Sequence, residues 1–210
     1  MIRSWGLIGS LSVSILCGAP VYAASDADEG WPCVQRKIPE LSAGMMWAGP
    51  PVNEAAKSLW QSNGGVSALA ARLAVRRTSL DEADKLIADY AASVAAEDKA
   101  AHLTALFAGV LDLINAERRQ IMAGIEKYTR KQRSLAKAIG KTRAELKAAL
   151  EAAEPSEEEK KLRRDLEQKL SWQSRIHHDR EKSLTFVCES PVILEQRIFA
   201  IARSIANNLE

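Results

Sequence analysis

The chain has 210 residues, with 29 Lys or Arg against 27 Asp or Glu and 47% apolar residues. That is enough apolar material for one packed core, and the near balance of charge excludes binding driven by net charge alone. There is no internal repeat of twenty to fifty residues and no low-complexity tract beyond alanine richness, which excludes a repeat array.

Residues 1–23 read as a secretory signal. Arg3 gives a positive start, residues 7–17 an apolar stretch diluted by Gly and Ser, and Val21-Tyr22-Ala23 a small-residue exit, with cleavage expected near Ala23. The apolar run is shorter than the roughly 20 residues of a membrane span. Cys17 follows Leu16, and a lipidation site wants a small residue there, so a soluble exported form, periplasmic or secreted, is the expected product. Removing the signal leaves 28 basic and 27 acidic residues and two cysteines, Cys33 and Cys188. In an oxidising compartment such an even pair is most simply a disulfide, and free thiols or an intermolecular bridge are the alternatives.

Residues 24–51 carry Pro32, Pro39, Pro50 and Pro51, which disfavour both helix and central strand. Trp31, Ile38, Leu41, Met45, Met46 and Trp47 make the segment too apolar for a disordered leader. It reads as an extended strap over the helices, its tryptophans filling grooves; the alternative is an exposed docking motif built on Trp31 and Trp47.

From residue 52 the pattern turns helical. Helices are expected over 52–62, ending at Asn63-Gly64-Gly65, over 66–77, and from a Ser79-x-x-Glu82 capping box to about residue 94. Ser190 and Pro191 read as the cap and first turn of a last helix whose buried face is Ile193 or Leu194, Ile198, Ile201 and Ile205. Residues 52–118 and 188–210 are expected to pack as one bundle.

Between them, residues 119–187 read as a coiled-coil hairpin. Ile121, Ile125, Tyr128, Gln132, Leu135, Ile139, Thr142 and Leu146 alternate steps of four and three, and all but Gln132 and Thr142 are apolar or aromatic. Leu103, Phe107, Val110 and Ile114 keep the alternation upstream, but a further step of four through Arg118 is needed to reach Ile121, as in a stutter. A first run to about residue 153 is broken at Pro155, and Ser156-x-x-Glu159 opens the return. Folding about this corner pairs positions whose numbers sum to about 308: Leu162 with Leu146, Leu166 with Thr142, Ile176 with Gln132, Arg180 with Tyr128, Leu184 with Ile125. The seam is apolar at its ends and mixed in the middle. Each arm helix of some thirty residues would reach on the order of 45 Å, a shape too thin to enclose a reaction. Gly109, Gly124 and Gly140 fall inside the long helix and would permit close packing, a bend, or neither.

The fold class is therefore all-α: a small helical bundle with a long projecting antiparallel coiled-coil hairpin and an extended N-terminal segment. Its chemistry is mostly absence. No GxGxxG, P-loop, GxSxG, HExxH, CxxC or CxxCH motif occurs, so no catalytic residue and no cofactor is expected. His102 lies about 44 Å along the helix from the level of His177 and His178 if that helix is straight, so the three do not share a site. His177-His178 with Asp179 reads as a solvated polar face, and a metal site there would need a second copy.

Ten Lys or Arg lie between Arg118 and Lys147 against Glu126 and Glu145, a stripe able to neutralise phosphate. Glu157, Glu158, Glu159, Asp165 and Glu167 on the returning helix are expected to offset it, and the export signal argues against nucleic acid. Trp172 either covers the seam near Leu135 or anchors a partner. The expectation is a non-enzymatic exported adaptor whose hairpin pairs with a protein partner or its own copy, with Trp31, Trp47, Trp172, Gln132 and Arg180 as candidate contacts; the alternative is a periplasmic chaperone-like protein.

Overall fold

The computed structural model describes residues 30–151 and 153–210; the signal segment and the first residues of the strap lie outside them. The described residues form six helices and no strand: α1 (Ala43–Met46), α2 (Glu54–Ser62), α3 (Gly64–Ala74), α4 (Leu80–Ser93), α5 (Ala96–Leu150) and α6 (Glu157–Ala206). The protein is all-α, and its two long helices run antiparallel.

Local chemistry sets most of the boundaries. Asn53 caps α2 by accepting from the Ala56 N–H. Asn63 closes α2 with its backbone N–H and opens α3 by accepting from Gly65 and Val66 N–H. Gly64 and Gly65 therefore start a helix rather than end one, and none of the described glycines has a positive φ. Ser79 accepts from the Glu82 N–H, but the Glu82 carboxylate turns to Arg72 at 2.5 Å, so this capping box is half made. The Ser156–Glu159 box is complete. The backbone N–H of Ser156 holds the Glu159 carboxyl below the usual carboxylate range, so the contact strengthens the cap at neutral pH and is lost as pH falls through that range.

Two further expectations are corrected. The strap contains one helical turn, α1, between its proline-bearing ends. Ser190 and Pro191 do not start a new helix: α6 passes through Pro191 without a break. A proline inside a helix costs about 3 kcal/mol through its missing N–H and ring clash. Here its φ is already helical, its ring is buried, and its carbonyl accepts from Arg118 Nη1, so tertiary packing overrides the local signal.

The core lies where α5 and α6 meet α2, α3 and α4. Leu103, Phe107, Val110 and Ile114 bury the predicted face of α5, and Leu194, Ile198, Ile201 and Ile205 that of α6. Gly109 has a specific reason to be glycine: a Cβ there would lie 2.9 Å from Trp60 Cε3 and 3.1 Å from the Ala70 Cβ, so it admits α2 and α3 close to α5. Gly124 and Gly140 meet nothing within 4 Å. The buried Arg197 donates from Nε and Nη2 to the Leu73 carbonyl at 2.9 and 2.6 Å, tying the end of α3 to α6.

The strap is held along its length. Cys33 and Cys188 form a disulfide with Cα atoms 5.5 Å apart. Leu41 donates its N–H to Asn115 Oδ1 and accepts from Asn115 Nδ2, both at 2.9 Å. Lys37 pairs with Glu126, and Glu40 with Arg119 at 2.8 Å. Trp47 stacks on Phe107 with ring centroids 4.4 Å apart, its indole N–H donating to the Pro50 carbonyl. Arg118, 2% exposed, donates Nη2 to the Ile38 carbonyl at 2.8 Å while its Nη1 reaches Pro191.

Replacing Arg118 with Met, which keeps the stem apolar, should cost about 1–3 kcal/mol for each carbonyl left without a donor. Denaturant unfolding measures this; unchanged stability would show that the two carbonyls are satisfied without it.

Candidate functional site

The arm beyond the core has three surfaces, and the seam is the first. Ile125 and Thr142 are fully buried, and Tyr128, Gln132, Leu135, Ile139 and Leu146 are half-buried, so the heptad positions face α6. The register is visible in two hydrogen bonds: Tyr128 Oη donates to the Arg180 carbonyl at 2.7 Å, and Gln132 Nε2 to the His177 carbonyl at 3.1 Å. Their numbers sum to 308 and 309.

At the tip the pairing slides. Arg163, not Leu162, turns inward to donate Nε to the Ala149 carbonyl at 2.9 Å, and Leu162 is 50% exposed. In the middle, Gln132 Oε1 and Gln173 Oε1 are buried with no partner. An unsatisfied buried acceptor costs about 1–3 kcal/mol, so this polar stretch is the weakest part of the seam.

The second surface is the outer side of α6. Trp172 is 63% exposed, and Gln173 takes the inward position, which overturns the expectation that the indole covers the seam. Phe186 is 73% exposed and Ile193 also projects. Trp172, Phe186 and Ile193 are separated by fourteen and seven residues, so they share one stripe about 32 Å long. Beside Trp172 a shallow depression of about 480 Å³ is bordered by Asp165, Gln168, Lys169 and Arg175.

The back of α5 is the third. Lys127, Arg130, Lys137 and Lys141 are exposed and repeat at helical spacing opposite the seam. The carboxylates expected to offset them lie on α6, and by the sum of about 308 Asp165 and Glu167 stand level with residues 143 and 141 across the hairpin. Glu157 pairs with Lys160, Glu159 is engaged in the α6 cap, and Asp165 borders the depression beside Trp172.

The remaining sequence candidates fall into place around these surfaces. Gln132 lies inside the seam. Arg180 is exposed, its carbonyl held by Tyr128. Trp47 is engaged on Phe107, as the strap reading predicts, whereas half-buried Trp31 makes a local contact, its indole N–H donating to the Gln35 carbonyl at 2.7 Å. His102 Nδ1 and Tyr90 Oη are 2.8 Å apart, a tie between α4 and α5; burial raises the Tyr90 pKa, which keeps the phenol protonated. Among the described residues no three His, Cys, Asp or Glu are grouped to hold a metal ion, and no helix is long and apolar enough to cross a membrane.

Sequence reasoning missed Phe186 and the anchoring bonds of Arg118. Phe186 carried a legible signal, its heptad spacing from Trp172; the carbonyls that Arg118 binds leave no mark in sequence. No family model, curated protein or solved structure matches the chain.

Replacing Gln173 by Leu removes an unpaired acceptor, and should stabilise the arm by about 1–3 kcal/mol and raise its thermal midpoint. Gln132→Leu also gives up the bond to the His177 carbonyl and should gain less. A lower midpoint for the Gln173 variant would mean that this amide is better satisfied than the seam geometry indicates.

Proposed function

We propose that the protein is an exported, non-enzymatic adaptor that docks a partner helix on the outer stripe of its arm. The observation that carries this reading is the pair Trp172 and Phe186, large aromatics left largely in water on one face of a long helix. Isolated exposed apolar residues need no explanation, but two aromatics at heptad spacing on a rod present anchors for a complementary helix. Arg175, Asp179 and Lys182 lie between them and supply charges that can fix the register of a partner. The disulfide supports an extracytoplasmic site of action, in line with the N-terminal signal pattern.

A second reading, a chaperone-like binder of unfolded chains, is favoured by one feature. A groove of about 620 Å³ between the strap and α6 is lined by Met45, Met46, Val192 and Phe199, and Met side chains adapt to varied apolar clients.

Crosslinking the exported protein in its own cells, with Trp172→Ala and Phe186→Ala combined as the control, separates the two. The adaptor reading expects a discrete partner, or the chain itself, whose capture falls at least about tenfold in the double variant, as the loss of two anchors of more than about 1 kcal/mol each requires. Helicity should be unchanged, since both side chains are outside the core. Undiminished capture in the double variant would sink the reading. Suppression of aggregation of unrelated clients, abolished by altering the Met45 groove, would favour the chaperone.

A further inference from the structure

The basic back of α5 has no part in the stripe on α6, and it is the most one-sided charge on the described surface. From residue 127 to residue 144 there are seven Lys or Arg and no Asp or Glu. Lys127, Arg130, Lys137 and Lys141 stand in a line about 21 Å long, facing away from α6. Of the two nearest carboxylates in sequence, Glu126 is engaged by Lys37 of the strap, while Glu145 lies 3.8 Å from Lys141 and offsets that end of the ridge in part. The Glu157–Glu159 cluster pairs with the level of residues 149 to 151, so it sits roughly 12–15 Å beyond Lys141 along the axis. That exceeds the Debye length of about 8 Å at physiological salt, so the cluster does little to cancel the ridge. Asp165 and Glu167 stand level with its Lys141 end but on the neighbouring helix.

The asymmetry extends to the whole arm. Residues 127–182 carry sixteen Lys or Arg against ten Asp or Glu, while the rest of the chain carries thirteen against seventeen. Positive charge has been gathered on the arm of a protein whose total is nearly balanced.

We propose that this ridge is a docking surface for an anionic phospholipid membrane, on which the arm lies along the back of α5. The cations are spread along a line with no concavity between them, so they suit a sheet of separate phosphates rather than one small ligand. The Cys33–Cys188 disulfide is compatible with an oxidising compartment, where lipid phosphate is present and nucleic acid is not the ordinary polyanion. Each basic side chain near such a surface adds about fivefold in affinity, so four in line act together without an inserted apolar anchor. This reading does not rest on the Trp172 stripe, which faces another direction.

The experiment is co-sedimentation of the full disulfide-bonded protein with vesicles of pure phosphatidylcholine and of phosphatidylcholine mixed with phosphatidylglycerol. Binding is expected to the anionic vesicles alone, to weaken as salt is raised, and to persist in inorganic phosphate at matched ionic strength. The variant K127Q/R130Q/K137Q/K141Q should lose at least about tenfold in binding. The variant K160Q/K161Q/R164Q/K169Q removes the same charge from α6 and should bind as the parent does. Circular dichroism checks that both remain helical. W172A/F186A should also bind normally, so failure of the adaptor reading leaves this result untouched. Equal loss in the two charge variants, equal binding to neutral vesicles, or retention on an acidic protein or nucleic acid without vesicle binding would overturn the proposal.

Discussion

One guanidinium joins the three parts of this protein. Arg118 sits at the slip in the heptad pattern of α5, where the packed base gives way to the arm, and it is almost wholly buried. It takes the Ile38 carbonyl of the strap on one side and the Pro191 carbonyl of α6 on the other, with Glu195 at 3.9 Å. Burial pulls its pKa down, and Glu195 acts against that shift. A planar fork with several donors can hold two divergent carbonyls from one position; the ammonium of a lysine is a single point on a flexible stem and cannot span them as well. The stutter thus places a polar clamp where a regular heptad would place another apolar knob.

That clamp explains why α6 continues through Pro191. The residue sits between two tethers, the disulfide at Cys188 and the Arg118 bond at its own carbonyl, while Leu194 and Ile198 are already committed to the core. The helix axis is fixed on both sides by long-range contacts, and the local cost of proline is too small to bend it away from them. The same contacts hold the strap, whose one-turn helix α1 brings Met46 beside α6 and is followed by Trp47 stacked on Phe107 of α5.

The seam and its register were legible because both follow from periodicity: once Ser156 caps the return, the sum rule for facing positions is geometry, and Tyr128 and Gln132 obey it. The face of the last helix was legible for the same reason, apart from choosing Leu194 over Ile193. Pro191 was misread because a Ser-Pro pair carries a strong local signal and the opposing tethers lie more than seventy residues away in sequence at Arg118 and farther at Cys33. Leu162 was misplaced because Arg163 finds a carbonyl at the tip, a contact that periodicity does not encode. Of the candidate contacts, Trp172 and Arg180 are in water, whereas Gln132 and Trp47 serve the hairpin and the strap from within.

The charge distribution gives the arm a direction as well as a shape. The stretch outside residues 127–182 is net negative and the arm net positive, so an anionic surface attracts one end of the molecule and repels the other. Such a field orients the rod along the surface before any short-range contact forms. In the proposed encounter, with the back of α5 turned toward the charge, the stripe of Trp172 and Phe186 is left on the other helix. The two surfaces are then compatible in one encounter and separable by chemistry: the ridge weakens with salt, because its cations are exposed, while burial of the aromatics is nearly indifferent to it.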